Sequence, residues 1–557
     1  MHAASRRACL VALVAATLGV HGEPVEAGGA TPPPLVIVAA PEPRLPDNFN
    51  PFAVTSSLYA TGAPFYIYEP LVQYNELQDG QYYPWLAKSW AFSSSGDTVT
   101  FELRSGARWD DGSPFSAADV AYTFNLLKQY PDLASPLPIV SAVATTRLTF
   151  TLTLSRPAYS YLYYIAKVPI VKVGFAAHHD PLTYVDRAPD GTGPYVLAKA
   201  SDATSSRVVL SARRSYWQGE PPVPKLVFPA YPDQAAVEKA FASGKVDWAS
   251  FYPGNSQPGG RSARGTGYWF PPVNVVAFEL NLAKHPEDQL GFREAVSDAL
   301  DRTRLSTSAT AGMEPPATSL SGLVLPRDAS YLTAKDTRDV AAHADPARSA
   351  ALMRALGYKR GARGYWTNQA GEIPVLGIQD PAGTLLGSLA GSVAAQLRAA
   401  GFPAKANLVS LGRWQSDLAT GSFDSSLVAG ARGPSPFYEF RGWLDASLVS
   451  HGLARGGDYE HLDASTDPSL AALASRELAA YQASPPGTAG EDSSLAALGN
   501  LVATYLPVVP LLYGVAWGEH STARWAGWPT GSGPYEPPDP EGPYAEYTVL
   551  QLSPSSS

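Results

Sequence analysis

Cysteine is almost absent from this chain. The single cysteine in 557 residues, Cys9, sits in an apolar stretch at the extreme N-terminus. It has no second cysteine to pair with, so an intrachain disulfide and a Cys-type zinc site are excluded. Beyond residue 20 no run approaches the ~20 uninterrupted apolar residues that a membrane helix requires. Basic clusters are missing too. Lys and Arg number 41 against 50 Asp and Glu, a formal net charge of -9, so nucleic acid is not an expected partner and an anionic membrane surface is disfavoured. G-x-S-x-G, H-E-x-x-H, P-loop and dinucleotide-binding glycine motifs do not occur. His178-His179-Asp180 has metal-like composition, but adjacent loop histidines are more often solvated than ligating. No metal and no cofactor is assigned.

What is present describes a folded chain rich in turns. Hydrophobic residues make up 45% and charged residues 16%, a balance that disordered chains do not have, and 51 prolines and 48 glycines punctuate short elements. The length suits two or three domains of roughly 100–200 residues. At the N-terminus Arg6 and Arg7 precede the apolar run 8–20, and Val25-Glu26-Ala27 offers a small-residue cleavage site. Residues 1–27 read as an export signal, by the general or the twin-arginine route.

Periodicity then organises the rest. "TVTFEL" alternates Val99, Phe101 and Leu103 as a half-buried strand, "TRLTFTLTLS" repeats the pattern, and Ser116 with Asp119 marks a helix start. "PDQAAVEKAFASGKVDW" predicts a helix capped by Asp233, stopped at Gly244 and feeding a strand. Asp247 and Arg293 read as fold residues. Strands alternating with helices favour α/β layers.

These segments carry a resemblance. "YEPLVQYN" followed by "YYPWLAKSWAFSSSGDTVTFELRSGARWDDGSPFSAADVAYTF" resembles the signature region of the extracellular solute-binding proteins of family 5, the binding components of ATP-driven (ABC) importers for oligopeptides, nickel and oligosaccharides. "GTGPY", "SYWQGEPPVPKLVF", "ASGKVDW", "FREAVSDALDR" and "DPARSAALMRALGY" follow in the family's order. The resemblance implies an α/β fold: a periplasmic-binding-protein-like clamp of two α/β lobes joined by a hinge, with an additional inserted N-terminal domain. It implies domain I from 28–65, 190–270 and 506–557, a domain II insertion at 66–189, and domain III at 271–505. Trp85, Trp90, Trp109 and Trp217 belong to family-wide motifs and are expected to be structural, with Trp528 in the core.

The stretch "GARGPSPFYEFRGWL" (430–444) bears on the ligand. Peptide-binding relatives often carry an Asp-Pro pair here that helps hold the peptide's amino terminus, whereas Ser435-Pro436 stands in its place. The segment, together with "AWGEHSTARWAGWPTGSGPYEPP", resembles the cellobiose, β-glucan and chito-oligosaccharide binders, with His520, Ser521 and Gly533 departing from their pattern. A β-linked sugar offers flat C–H faces to aromatic rings and a hydroxyl rim to planar polar groups. Trp414 and Trp517 are the expected platforms, then Phe437 and Tyr438. Arg432 and Arg441 are candidate hydroxyl donors, unless they pair with Glu439 or Asp445, and Asn281 is a further donor and acceptor.

The expected protein is therefore an exported, non-catalytic monomer of the periplasm or cell exterior. It captures an oligosaccharide, of cello-oligosaccharide type, and hands it to ABC permease subunits in the membrane. An oligopeptide ligand is the alternative.

Overall fold

Strand Pro272–Leu280 is buried along nearly its whole length, which places it in the middle of a layer. It pairs antiparallel with Ser425–Ala429 on one side and Val508–Val515 on the other. Leu376–Pro381 and Ala404–Val409 complete a five-stranded sheet. Helices Leu290–Asp298 and Leu385–Ala399 contribute Phe292, Val296, Leu389, Val393 and Leu397 to the same hydrophobic cluster.

A computed structural model provides these coordinates. It describes residues 32–555, except 54, 78–80, 134–136, 200–201, 252–264, 334–342, 369–374, 451–452, 455–461 and 463–466. The expected export signal at 1–27 lies outside the described residues. The architecture is that of the unit formed by residues 33–557.

A second, eight-stranded sheet draws on three distant stretches of chain. Its order runs Thr266–Tyr268, Glu519–Ser521, Trp248–Ala249, Leu35–Val38, Lys225–Pro229, Arg207–Ala212 and Tyr195–Val196, with Ala203–Thr204 paired to Arg207–Ala212. Asp247 ties the stretches together: its carboxylate accepts from Val36 N at 2.9 Å and pairs with Arg524. The preceding helix, Gln234–Ala242, is capped by Asp233, which accepts from Ala236 N, and is followed by Gly244 at φ +72°.

The third layer is antiparallel: Ala87–Phe92, Thr98–Leu103, Thr149–Leu154 and Ile139–Ala144. Its two central strands alternate buried and half-buried residues as the sequence predicts. Helix Ala117–Gln129 covers it, started by a capping box in which Asp119 accepts from Ser116 N at 2.9 Å. Phe124 stacks on Phe150, and Phe150 on Phe101. Burying each such ring stabilises by about 1.5–3 kcal/mol.

Two short crossovers, 269–271 and 516–518, connect the sheet edge Thr266–Tyr268/Glu519–Ser521 to the pair Pro272–Leu280/Val508–Val515. They run side by side, with Trp269 N donating to Gly518 O at 3.2 Å and Ala516 N to Pro271 O at 2.9 Å. A Cβ on Gly518 would meet the Pro538 backbone oxygen at 2.6 Å, so only glycine fits there. Two lobes joined by a narrow hinge make this a periplasmic-binding-protein-like α/β clamp. One expected boundary shifts. Val508–Val515 hydrogen-bonds into the five-stranded sheet, so the chain returns to the first lobe at the 516–518 crossover and not at 506.

Candidate functional site

Helix Phe437–Leu444 answers what the ring-rich segment does. All eight of its residues are buried, so its aromatics serve mostly as core. Phe437 stacks flat on Tyr481 with ring centroids 4.1 Å apart, and no face of it is left for a ligand. Ser435 Oγ lies 2.9 Å from Tyr481 Oη. Tyr438, Arg441 and Gly442 point the other way and line a cavity of about 480 Å³ between the lobes.

The opposite wall comes from the other side of the clamp: Tyr74, Glu76, Tyr163, Tyr164, Lys167, Glu541 and Tyr544. Five tyrosines form a continuous surface. Tyr163 lies 4.3 Å from Tyr438 and 4.9 Å from Tyr74, Tyr164 packs edge-on to Tyr438, and Tyr74 packs against Tyr544.

Charge is distributed unevenly over this wall. Arg432 reaches across the cleft, donating from Nε to Glu76 at 2.9 Å, from Nη1 to Asp539 at 2.8 Å, and from Nη2 to Asp539 at 3.2 Å and Tyr544 Oη at 2.9 Å. Burial works against its charge, yet Asp539 and Glu76 hold it well above the ordinary arginine value. Arg441 is paired as well, with Asp445 at 2.9 Å and Tyr164 Oη at 2.8 Å.

Lys167 differs. Among the described residues its ammonium has no carboxylate within ion-pair distance; it lies 3.4 Å from Tyr163 Oη and 4.9 Å from the centroid of that ring. Its side chain is open to the cavity while protein surrounds it. That enclosure pushes its pKa down, against the opposing pull of Glu76. Glu541 also opens into the cavity. Burial and the neighbouring Asp539 raise its carboxyl to about 7, with Arg432 and Ser250 pulling it back.

The remaining expected site residues lie elsewhere. Asn281 is buried and fully used within the fold: Nδ2 donates to Gly421 O and Phe423 O at 3.1 and 3.0 Å, and Oδ1 accepts from Ala283 N. Trp414 packs against Leu418, Phe423 and Val428, and its indole donates to Ser426 Oγ at 2.9 Å. Trp517 rests on Phe270 at the hinge, ring centroids 5.0 Å apart, and does not line the cavity. Trp85, Trp109 and Trp528 are buried, and Trp90 and Trp217 pack against the core. Arg293 fans out to four backbone carbonyls. The pair His178-His179 borders a separate surface depression, with His179 stacked on Tyr184.

Sequence reasoning passed over Lys167, Glu76, Glu541 and four of the five tyrosines. "YLYYIAK" (161–167) held a signal, since three tyrosines and a lysine crowd around a single helical turn.

A two-lobed α/β clamp with a polar, tyrosine-lined cleft at its hinge defines a ligand-binding protein. The chain belongs to the bacterial extracellular solute-binding proteins, family 5, whose model matches residues 81–449. It is 29% identical over 309 residues to the nickel-binding periplasmic protein of Escherichia coli (strain K12), 51% of this chain and 57% of that one. With the dipeptide-binding protein of the same organism it shares 25% identity over 346 residues, 57% and 62% of the two chains. The chain thus spans between half and two thirds of the length of these curated relatives. In three dimensions it resembles an oligopeptide ABC transporter periplasmic oligopeptide-binding protein from Thermotoga maritima, solved with mannohexaose bound, with a TM-score of 0.78, 23% identity, and coverage of 94% and 99%. Among the described residues no helix is long and apolar enough to cross a membrane.

Proposed function

We propose that this protein is the exported, non-catalytic substrate-binding component of an ABC importer, and that its ligand is a short peptide delivered to membrane permease subunits. Lys167 carries the choice of ligand. Its ammonium is exposed to the cavity and has no carboxylate within ion-pair distance among the described residues, so a ligand carboxylate would find an unpaired cation there. A neutral sugar would offer that ammonium no counter-charge. Family membership and the dipeptide-binding relative support the transport role.

The tyrosine wall favours an oligosaccharide as the second reading, because rings of this kind stack on sugar faces. Three of the platforms expected from the sequence, Trp414, Trp517 and Phe437, do not line the cavity, which weakens it.

A thermal-shift panel tests the choice, with di- to pentapeptides set against cello-, xylo-, manno- and chito-oligosaccharides. A ligand at 100 times its Kd stabilises the folded state by about 2.7 kcal/mol. Concentration-dependent stabilisation by peptides is expected. Stabilisation by one sugar series alone would overturn the peptide reading.

A further inference from the structure

Behind the tyrosine wall lies a pair of acids that do not line the cavity. Glu69 follows helix Pro64–Ile67, Glu546 sits in the first turn of helix Tyr544–Gln551, and both are buried. The Tyr216 hydroxyl stands between them, 2.6 Å from Glu69 Oε1 and 3.5 Å from Glu546 Oε1. Trp217 donates its indole N–H to both oxygens of Glu69, at 3.0 and 3.2 Å. Among the described residues neither acid forms an ion pair. Arg104 lies over the Trp217 ring, but it donates to the carbonyls of Pro84 and Trp85 and to neither acid.

Two carboxyls that share one hydroxyl in a dry setting cannot both carry charge. A phenol has a single proton, and at the shorter distance it goes to Glu69. The remaining face of the Tyr216 oxygen is then an acceptor, to which a protonated Glu546 can donate. Burial raises Glu69 to about 7, and burial with the charge of Glu69 raises Glu546 well above the ordinary carboxyl range.

Gln73 connects this pair to the cleft. Its Nε2 donates to Glu546 Oε2 and to Pro543 O, both at 3.1 Å. Gln73 precedes Tyr74 on strand Val72–Asn75, and Glu546 lies two residues beyond Tyr544. Tyr74 and Tyr544 both line the cavity and pack edge-on, ring centroids 6.3 Å apart. We propose that Glu69 and Glu546 are positioning residues, a proton-sharing clasp that holds strand Val72–Asn75 against helix Tyr544–Gln551 and loosens the tyrosine wall as pH rises. The wall serves a peptide or a sugar alike, so the inference stands apart from the choice of ligand.

The sign follows from which state holds the protons. Carboxyls in water titrate near 4, so a loosened, hydrated pair releases protons that the packed pair keeps. The advantage of the packed wall is complete below about pH 4 and falls as pH rises, by about tenfold per pH unit for each proton released. Tyr66 and Tyr195 also face Glu546, but burial raises both phenols further above their usual value, so they stay neutral in this range.

Hydrogen–deuterium exchange on the intact, ligand-free protein at pH 6 and pH 8, corrected for intrinsic rates, tests the clasp. Protection of 72–75 and 544–551 should fall at least tenfold more than that of strand Thr98–Leu103. In Glu69→Gln and Glu546→Gln, whose amides mimic the protonated acid, that excess should shrink below threefold. Glu541, which titrates near 7 three residues before the helix, is retained in both variants. An excess that survives in both would therefore overturn the inference. An equal fall in all three segments of the unmodified protein would overturn it as well, whether or not the variants fold.

Discussion

Arg432 Nη1 lies 2.8 Å from Asp539 Oδ2, with the arginine following strand Ser425–Ala429 of the five-stranded sheet and the aspartate on the loop before helix Tyr544–Gln551. The lobes are thus joined across the cleft by an ion pair between a half-buried arginine and a buried aspartate, and the buried Glu76 extends it.

Replacing Arg432 by Met should destabilise the protein by about 3 kcal/mol, because Glu76 and Asp539 would be left buried without their counter-charge. Chemical denaturation reads the loss. Small-angle scattering should report a larger radius of gyration for the variant, as the lobes part. An unchanged radius with unchanged stability would rule out a cross-cleft tie.

Lys167→Met should separate binding from folding. The melting temperature should not fall, since the ammonium has no carboxylate partner to lose, while affinity for free-carboxyl peptides drops at least tenfold. A fall in both would mark Lys167 as a structural residue.

Asn281→Ala should do the opposite. It strands the carbonyls of Gly421 and Phe423 and the Ala283 N–H in a buried setting, which costs about 1–3 kcal/mol. Ligand affinity should be unchanged. A change in affinity without loss of stability would restore Asn281 to the ligand site.

Stability should decline as pH rises. Burial raises Asp298 to about 6, Glu287 to about 7, and Glu279, Glu314 and Asp380 to about 8. Unfolded carboxyls titrate near 4. The folded state therefore binds more protons, and its advantage is complete below about pH 4 and lost as pH rises through 6–8. His520 opposes this: burial lowers it to about 4, so its contribution is lost as pH falls from about 6.5. The carboxyls outnumber it. Calorimetry should give a higher melting temperature at pH 5.5 than at pH 8.5, and Glu314→Gln should flatten the slope. A melting temperature that rises over that interval would refute it.

Local patterning carried much of the fold. Ser116 and Asp119, Asp233 and Gly244, and the alternation of Val99, Phe101 and Leu103 all do in three dimensions what they announce in one. Capping and strand alternation depend on neighbours within a few residues, so the sequence displays them directly. The candidate site was less legible. Arg432, Tyr438 and Arg441 reach the cavity, but Phe437, one position from Tyr438, turns into the core, and an aromatic in a sequence does not say which way it faces.

The sequence by itself determined the α/β layering, the family and the helix starts, because these follow from periodicity, composition and short motifs. Only the tertiary structure decided which charges are spent and which are free. The cleft is built from residues near 74–76, 163–167, 274, 430–448 and 541–544, stretches that meet only when the clamp folds. Whether a carboxylate is neutralised, like Asp539, or left open to the cavity, like Glu541, depends on where Arg432 arrives from the opposite lobe. Electrostatic pairing acts through space over a few ångströms, and no spacing along the chain records it.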